Sequence, residues 1–222
     1  MDIDYPTMIK TIIVIITIIF IIIIIRLSIP LDLPTSTVNL QSAINQFETG
    51  DIIAVAYSSI RGQLIKIFTG SIWSHVGLIY RSTNNLYVLE CAYYDDNECG
   101  VLKTPLSKWL NWNKKKKISW VKRIGPKIDN QAIENIYLKI NKSQIDSSLI
   151  SWLKAVIKQK YKSPFKSHYY CSELVALFLQ ELGIIKKIYL PSGYPPKEII
   201  FGHLPFTTDN YFTTPYLLIN NK

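Results

Sequence analysis

The chain has 222 residues, of which 48% are hydrophobic and 18% are charged. This length and composition are typical of one globular domain with a short appendage, and they exclude intrinsic disorder as the overall description. Three cysteines are too few for a disulfide scaffold. The net charge of +9 favours an anionic neighbour only weakly, because residues 114–117 supply four lysines in a run typical of a solvated loop.

The N-terminal region contains fifteen consecutive uncharged residues, 11–25, most of them isoleucine, between Lys10 and Arg26. As a helix this run spans about 22 Å at ~1.5 Å per residue. Flanking apolar residues and two snorkelling basic side chains extend it toward the ~30 Å hydrocarbon core of a bilayer. We therefore predict a membrane anchor with a short flank over residues 1–27. A signal peptide and a core element are the alternatives, although no small-residue cleavage motif follows Arg26.

The rest of the chain predicts one domain. Residues 28–47, with Pro30, Pro34 and several Ser and Thr residues, predict a linker leading into a domain over 48–222. In chain order, the hydrophobic patterns predict the following elements: a strand over 52–57, a helix over 60–68 ended by Gly70, a hairpin of strands 73–80 and 86–92, strands at 100–102 and 118–122 with a helix at 105–112 between them, helices near 132–140 and 149–157, and a final helix from Cys171 to Gly183. This order favours an α+β fold in which an antiparallel sheet packs against helices.

Two residues stand out as candidates for chemistry. Cys171 begins the last predicted helix, where the macrodipole and unpaired backbone N–H groups stabilise a thiolate. His75 lies in an apolar strand, and an imidazole within reach of the thiol would complete a pair of nucleophile and base. The alternatives are a small hydrophobic residue packed at a helix start and a core histidine with satisfied hydrogen bonds.

Glu90 is a candidate third member of this site. Pairing Tyr80 with Asn85 across a four-residue loop places His75 directly opposite Glu90, so that both side chains share one face of the hairpin. Glu90 would then accept a hydrogen bond from the imidazole and fix its tautomer. A register shifted by one residue would instead place the two side chains on opposite faces.

Several segments together resemble a known family of enzymes. In chain order they are GDII at 50–53, TGSIWSHVGL at 69–78, VLE at 88–90, YCSELV at 170–175 and PSGYPPKEI at 191–199. They are similar to the circularly permuted papain-like enzymes of the NlpC type, in particular the YiiX-like group with its poxvirus relatives. In that group the histidine strand precedes the cysteine helix, as it does here. The resemblance covers roughly residues 48–203 and does not extend to the predicted anchor.

The resemblance implies a permuted papain-like fold and a cysteine amidase, peptidase or acyl transferase. It implies Cys171 as nucleophile, His75 as base and Glu90 as the residue that orients the base. No cofactor is implied. The substrate, whether peptide, lipid or another acyl compound, is left open, and a non-catalytic membrane-anchored scaffold of the same fold is the alternative function.

Other kinds of site are less well supported by the sequence. His168 and Cys171 have the spacing of metal ligands and His203 could join them, but the second compact ligand pair of a typical zinc site is absent from the sequence. Cys91 and Cys99 are expected to be inert thiols. No phosphate-binding loop or nucleic-acid motif is present in the sequence, so we expect no nucleic acid as partner. The predicted anchor makes a membrane the expected partner. The abundance of Ile, Lys, Asn and Tyr is typical of an AT-rich genome and is compatible with a large DNA virus or an AT-rich bacterium. We expect a single-pass membrane protein, which a viral source would place in a virion or host membrane.

The anchor prediction has a direct test. The full-length protein should sediment with membranes and stay there during high-salt and alkaline washes, because only the apolar segment would hold it. A variant lacking residues 1–34 should be released as a folded domain. Full-length protein in the supernatant after alkaline washing would contradict the anchor.

Overall fold

The computed structural model describes residues 13–14, 17, 33–83, 85–95, 98–146 and 165–219. Apart from three separate positions, the anchor predicted over residues 1–27 lies outside the described residues, and so does the helix predicted near 149–157. Among the residues that are described, no helix is both long and apolar enough to cross a bilayer.

Each strand and helix predicted within the described residues is present, with small shifts at its ends, and several further short elements accompany them. The strands are β1 (Ser36–Asn39), β2 (Ile52–Ala56), β3 (His75–Arg81), β4 (Leu86–Asp95), β5 (Glu98–Pro105), β6 (Lys117–Val121), β7 (Arg123–Ile124), β8 (Gln144–Ile145), β9 (His168–Tyr169), β10 (Tyr211–Phe212) and β11 (Tyr216–Ile219). The helices are α1 (Leu40–Gln46), α2 (Ile60–Thr69), α3 (Leu106–Asn113), α4 (Asn130–Ile140), α5 (Cys171–Glu181) and α6 (Pro196–Ile200). A 3-10 turn at Pro191–Gly193 precedes α6.

Within the described chain, seven strands form one sheet in the order β1, β11, β6, β2, β3, β4, β5. Neighbouring strands are antiparallel except β1 and β11, which are parallel. The predicted α+β fold with a mostly antiparallel sheet is confirmed. The linker and entry segment predicted over 28–47 contains regular structure, because Ser36–Asn39 is a sheet strand and α1 follows it directly. This short, partly polar strand is defined by its pairing with Tyr216–Ile219, near the other end of the described chain.

Helices cover both faces of the sheet, and the strands alternate between them. Ala54, Val76 and Leu89 belong to an apolar cluster with α4 and α5 on one face. Val55 and Val88 belong to a second cluster with α1 and α3 on the other face. Because side chains alternate along a strand, His75 and Glu90 lie on the α3 face, whereas α5 lies on the opposite face.

Helix α5 is the central helix of the domain. Each of its residues from Cys171 to Gln180 is buried, although Glu173 and Gln180 are polar. A helix that is apolar on nearly all sides is typical of a position enclosed by other elements. Contacts with β3, β4, α4, α6 and the 3-10 turn enclose it here. The first turn of α5 is thereby fixed against the sheet.

The register of the β3–β4 hairpin differs from the predicted one. Leu78 pairs with Leu89 and Tyr80 pairs with Tyr87, so the predicted pairing of Tyr80 with Asn85 is wrong by two residues. The backbone N–H of Ser82 donates to the Asn85 carbonyl oxygen at 2.9 Å, which leaves a two-residue loop where four residues were expected. A shift of two residues preserves the alternation of faces. His75 and Glu90 therefore share a face, as predicted, but as diagonal rather than direct neighbours.

Gly77 makes this diagonal arrangement possible. Continuing the observed register places Gly77 opposite Glu90. A Cβ atom at Gly77 would approach Cγ1 of Val88 to 2.4 Å and Cβ of Glu90 to 3.5 Å. The missing side chain leaves the space across which the Glu90 side chain extends toward His75.

A buried carboxylate also fixes the start of β2. Asp51 accepts hydrogen bonds from Nε1 of Trp120 at 2.9 Å, the backbone N–H of Arg123 at 2.8 Å and the backbone N–H of Glu48 at 3.1 Å. Burial raises the pKa of Asp51 to about 6, although these donors act in the opposite direction. Asp51 therefore connects β2 to β6 and β7. These contacts give a structural role to the aspartate of the GDII segment at 50–53.

Candidate active site

The first contact of the candidate site joins His75 to Glu90. Nε2 of His75, the first residue of β3, lies 2.8 Å from Oε2 of Glu90 on β4. The His75 side chain is 7% exposed and that of Glu90 is 0% exposed. An ionised carboxylate can only accept hydrogen bonds, so Nε2 carries the proton of this bond and Nδ1 is left for another partner. The face shared by the two residues was predicted from the sequence.

The Glu90 carboxylate has further donors from β4, β5 and α3. Trp109 Nε1 donates to Oε2 at 2.8 Å and the Thr104 hydroxyl donates to Oε1 at 2.9 Å. The Tyr94 hydroxyl lies 3.0 Å from Oε1 and 3.1 Å from Oε2. Each of these contacts presents a donor to the carboxylate, which compensates for its removal from water. The carboxylate is therefore held in one orientation, and the His75 ring with it.

Cys171 lies at the other side of the His75 ring. Its sulfur interacts with the ring and with the backbone N–H groups of Val76 and Ser172. Burial by itself raises the pKa of the Cys171 thiol, but these interactions and the charge of His75 outweigh it and lower the pKa below that of an ordinary thiol. The structure thus brings Cys171, His75 and Glu90 together in that order.

The pKa of the His75 ring shifts in the opposite direction, upward. Burial lowers its pKa, whereas the Cys171 sulfur and the Glu90 carboxylate raise it, and the net effect is a pKa well above the usual histidine range. A lowered thiol pKa and a raised imidazole pKa favour the same state, in which a thiolate faces an imidazolium. Because the two groups share one proton, they titrate as a coupled pair.

Tyr57 borders the His75 ring and was not predicted as part of the site. The two ring centroids are 5.5 Å apart, and burial raises the pKa of the Tyr57 phenol, which keeps it neutral. The backbone N–H of Tyr57 donates to the Ser74 hydroxyl at 2.8 Å, which joins the end of β2 to the residue before His75. Nζ of Lys116 lies 4.2 Å from the Tyr57 ring centroid on the outer side.

A cavity of about 590 Å³ opens beside Cys171 and His75. Its volume is within the range of small-molecule sites. The lining residues come from α2, β4, the start of α5, the segment that leads into α6 and the loops next to them. They include Gly62, Ile65, Ala92, Tyr93, Ile145, Tyr170, Ser172, Pro195 and Pro196. The candidate nucleophile therefore has access to a space that a substrate can occupy.

The other cysteines differ from Cys171 in their surroundings, although Cys91 also lines the cavity. Cys91 is buried on β4, where its thiol donates to the Tyr169 carbonyl oxygen at 3.0 Å, and burial raises its pKa. Cys99 is exposed. Within the ranges that the structure describes, no group of three or more His, Cys, Asp or Glu side chains is placed to hold a metal ion. His168 and His203 are thus not brought together with Cys171.

A cysteine at a helix start, a histidine on a strand and a buried carboxylate acceptor are together typical of papain-like cysteine hydrolases. Residues 46–190 match the permuted papain-like amidase enzymes of the YaeF/YiiX family. The chain belongs to this family, and the resemblance inferred from the sequence is confirmed. Membership implies a cysteine hydrolase.

Among solved structures, the chain is similar to that of the metalloprotein YiiX from Escherichia coli O157:H7. It is 23% identical in sequence, with a TM-score of 0.44, over 62% of this chain and 67% of the other. A search of curated proteins finds no match.

The geometry predicts how Cys171 reacts with iodoacetamide. Thiolate formation at Cys171 should begin at lower pH than at Cys99, because the His75 ring and two backbone N–H groups stabilise the anion. At about pH 6 we expect Cys171 to be labelled roughly tenfold faster than Cys99, and Cys91 to remain unlabelled. Mass spectrometry of each peptide against time gives the three rates in one sample.

The His75→Ala variant is the control for this measurement. Without the ring, burial raises the thiol pKa, so labelling of Cys171 at pH 6 should fall to the rate of Cys99 or below it. Labelling of Cys99 should not change. Equal, slow labelling of all three cysteines in the unaltered protein would make Cys171 a packing residue.

The Glu90 contacts predict a distinct effect of Glu90→Gln. The amide NH2 would face at least one of the donors Trp109, Tyr94 and Thr104, which leaves a buried donor unpaired and costs about 1–3 kcal/mol of unfolding free energy. Urea unfolding followed by tryptophan fluorescence measures this loss. The midpoint pH of Cys171 labelling should rise as well, because the His75 ring loses its fixed anionic partner.

Thr104→Val is the matched control. It removes one donor to Oε1 and leaves the His75 contact to Oε2 in place. We expect a smaller change in labelling pH than for Glu90→Gln. If Glu90→Gln left both stability and labelling unchanged, the carboxylate would not orient the ring.

Proposed function

We propose that the protein is a thiol hydrolase that cleaves an amide, ester or thioester through a Cys171–His75–Glu90 triad. The observation that carries this proposal is the position of Cys171 and His75, which line one cavity of about 590 Å³ and interact so that the pKa of the thiol is lowered. Membership of a family of amidases supports the same reaction class.

The geometry assigns each residue a step. The Cys171 thiolate attacks the substrate carbonyl carbon, and the His75 imidazolium gives its proton to the leaving amine, alcohol or thiol. This step leaves an acyl group on Cys171. Neutral His75 then takes a proton from water, the resulting hydroxide attacks the acyl carbon, and the carboxylic acid and free thiol are released. Glu90 keeps Nε2 protonated, so that Nδ1 is the atom that faces the sulfur throughout.

The start of α5 supplies the oxyanion site. Cys171 is the first residue of the helix, so its backbone N–H has no acceptor within the helix. This N–H group and the positive end of the helix dipole stabilise negative charge on the carbonyl oxygen during attack. The same helix start therefore activates the nucleophile and stabilises the intermediate.

Two features of the proposal extend beyond hydrolysis itself. An amine or alcohol in place of water would resolve the same acyl-enzyme by acyl transfer. The uncharged residues 11–25 support an anchor that holds the catalytic domain beside a membrane. The alternative function is a non-catalytic scaffold that retains the fold.

Turnover of p-nitrophenyl acetate tests the proposal. Cys171→Ser and His75→Ala should each lower kcat/KM by about a thousandfold or more, because members of a triad act as a unit. The profile of kcat/KM against pH should be bell-shaped. Its acid side follows the lowered pKa of Cys171 and its basic side follows the raised pKa of His75.

Cys99→Ser is the control variant, because this exposed thiol belongs neither to the proposed triad nor to the cavity lining, and its turnover should stay within about twofold of the unaltered protein. Mass spectrometry of the acid-quenched reaction should show acetyl on the Cys171 peptide. Product release with added alkylamine separates acyl transfer from hydrolysis. If Cys171→Ser retained full turnover, or if the unaltered protein had none, the scaffold function would replace this proposal.

A further inference from the structure

Four consecutive lysines, residues 114–117, connect α3 to β6 and form the lysine loop. Lys114, Lys115 and Lys117 are exposed, and among the residues that the structure describes no carboxylate is ion-paired with any of the three. Lysines elsewhere in the domain, such as Lys103 with Glu134, have acidic partners. The lysine loop therefore keeps a concentrated positive charge on the surface.

The chain segments around the lysine loop contain no acidic residue that could neutralise it locally. Neither 52–89 nor 99–128 includes an Asp or a Glu, although the first contains three and the second nine Lys and Arg residues. The first segment holds β2, α2 and β3, and the second holds α3, the lysine loop and β6. The acidic residues of the cavity lining, Asp146 and Glu198, come from other segments of the chain.

Helix α2 lies beside the lysine loop. Strand β6 begins at Lys117 and pairs there with the end of β2, the strand that leads into α2. Nζ of Lys116 lies 4.2 Å from the centroid of the Tyr57 ring, and a Cβ atom at Gly62 of α2 would lie 2.8 Å from the Tyr57 carbonyl oxygen. Burial and the nearby charge of Lys117 both lower the pKa of Lys66 on α2. The helix and the loop thus form one continuous surface.

The outer side of α2 is apolar. Ile60 is 82% exposed and Leu64 is 39% exposed, and their four-residue interval places both on one side of the helix. Aliphatic side chains next to a cluster of cations are typical of surfaces that bind anionic membranes, because the cations reach the headgroups while the aliphatic groups enter the boundary of the acyl region. A nucleic acid would neutralise the lysines but leave both aliphatic side chains in water.

We propose that the lysine loop and the outer side of α2 dock the domain on an anionic phospholipid surface. This contact is separate from the predicted anchor and does not depend on the catalytic proposal. Residues 28–35, between the predicted anchor and β1, span at most about 27 Å at ~3.4 Å per residue. An anchored chain would therefore keep this surface within reach of the bilayer.

Lysine acetylation by sulfosuccinimidyl acetate tests the docking in the full-length protein. The protein is reconstituted with nanodiscs of phosphatidylcholine, with or without about a third of phosphatidylserine, and mass spectrometry follows each lysine. Residues 114–117 should be labelled at least about threefold more slowly with phosphatidylserine, because the headgroups shield them. About 1 M NaCl should remove this protection, since the Debye length falls to ~3 Å. The readout is the same whether the protein is inserted or binds from solution.

The internal reference is Lys142, which is exposed and follows α4 on the face of the sheet opposite α3. Its labelling should not respond to phosphatidylserine. Cys171→Ser should be protected at residues 114–117 as fully as the unaltered protein is, so loss of turnover and loss of docking are distinguishable.

Two matched variants test the contribution of α2. The double variant Ile60→Ser, Leu64→Ser should lose at least about half of the protection, because it removes the aliphatic part of the contact. Leu138→Ser removes the same kind of side chain from α4, at a position 63% exposed, and should leave the protection unchanged.

Four outcomes overturn the proposal. The first is equal labelling of residues 114–117 in the two lipid mixtures, and the second is protection of Lys142 to the same degree, which would indicate adsorption without a defined face. The third is full protection in the Ile60→Ser, Leu64→Ser variant, which would exclude α2 from the contact. The fourth is equal protection by a short DNA duplex added to phosphatidylcholine nanodiscs, which would make a nucleic acid the partner.

Discussion

A carboxylate with no exposure to solvent organises the candidate site. Removing an ionised group from water is expensive, and the cost is offset only where donors surround it. Glu90 receives such donors from Trp109, Tyr94 and Thr104 in addition to His75. These residues belong to α3 and to strands β3, β4 and β5, so the contacts that stabilise the carboxylate also fix these elements relative to one another.

The sheet separates the two halves of the site. His75 and Glu90 lie on the face covered by α3, whereas Cys171 begins α5 on the opposite face. The halves meet where β3 begins, and the backbone N–H of Val76 contacts the Cys171 sulfur from within that strand. The distance between nucleophile and base therefore depends on how α5 packs against the sheet. The almost completely buried surface of α5 holds that packing in place.

The sequence predicts the chemistry of the site better than its geometry. The predicted hairpin pairing gives the common face of His75 and Glu90 although its register is wrong by two residues, and the apolar periodicity after Cys171 predicts its place at a helix start. The exact register depends on the turn at residues 82–85, where two- and four-residue loops are both consistent with the composition. Trp109, Tyr94 and Thr104 could not be assigned to Glu90, because α3 reaches the carboxylate only through tertiary packing. The pairing of β1 with β11 is likewise a long-range contact that local patterns do not contain.

The order of these residues along the chain has a consequence for synthesis on the ribosome. The base, its carboxylate and the donors to that carboxylate all lie between His75 and Trp109, in a hairpin, one further strand and the helix that follows. Contacts between residues so close in sequence form early and at low entropic cost. Cys171 leaves the ribosome much later and docks on a base that is already assembled. The nascent chain thus carries no activated thiol until α5 has been made, which protects it from oxidation and from premature reaction during translation.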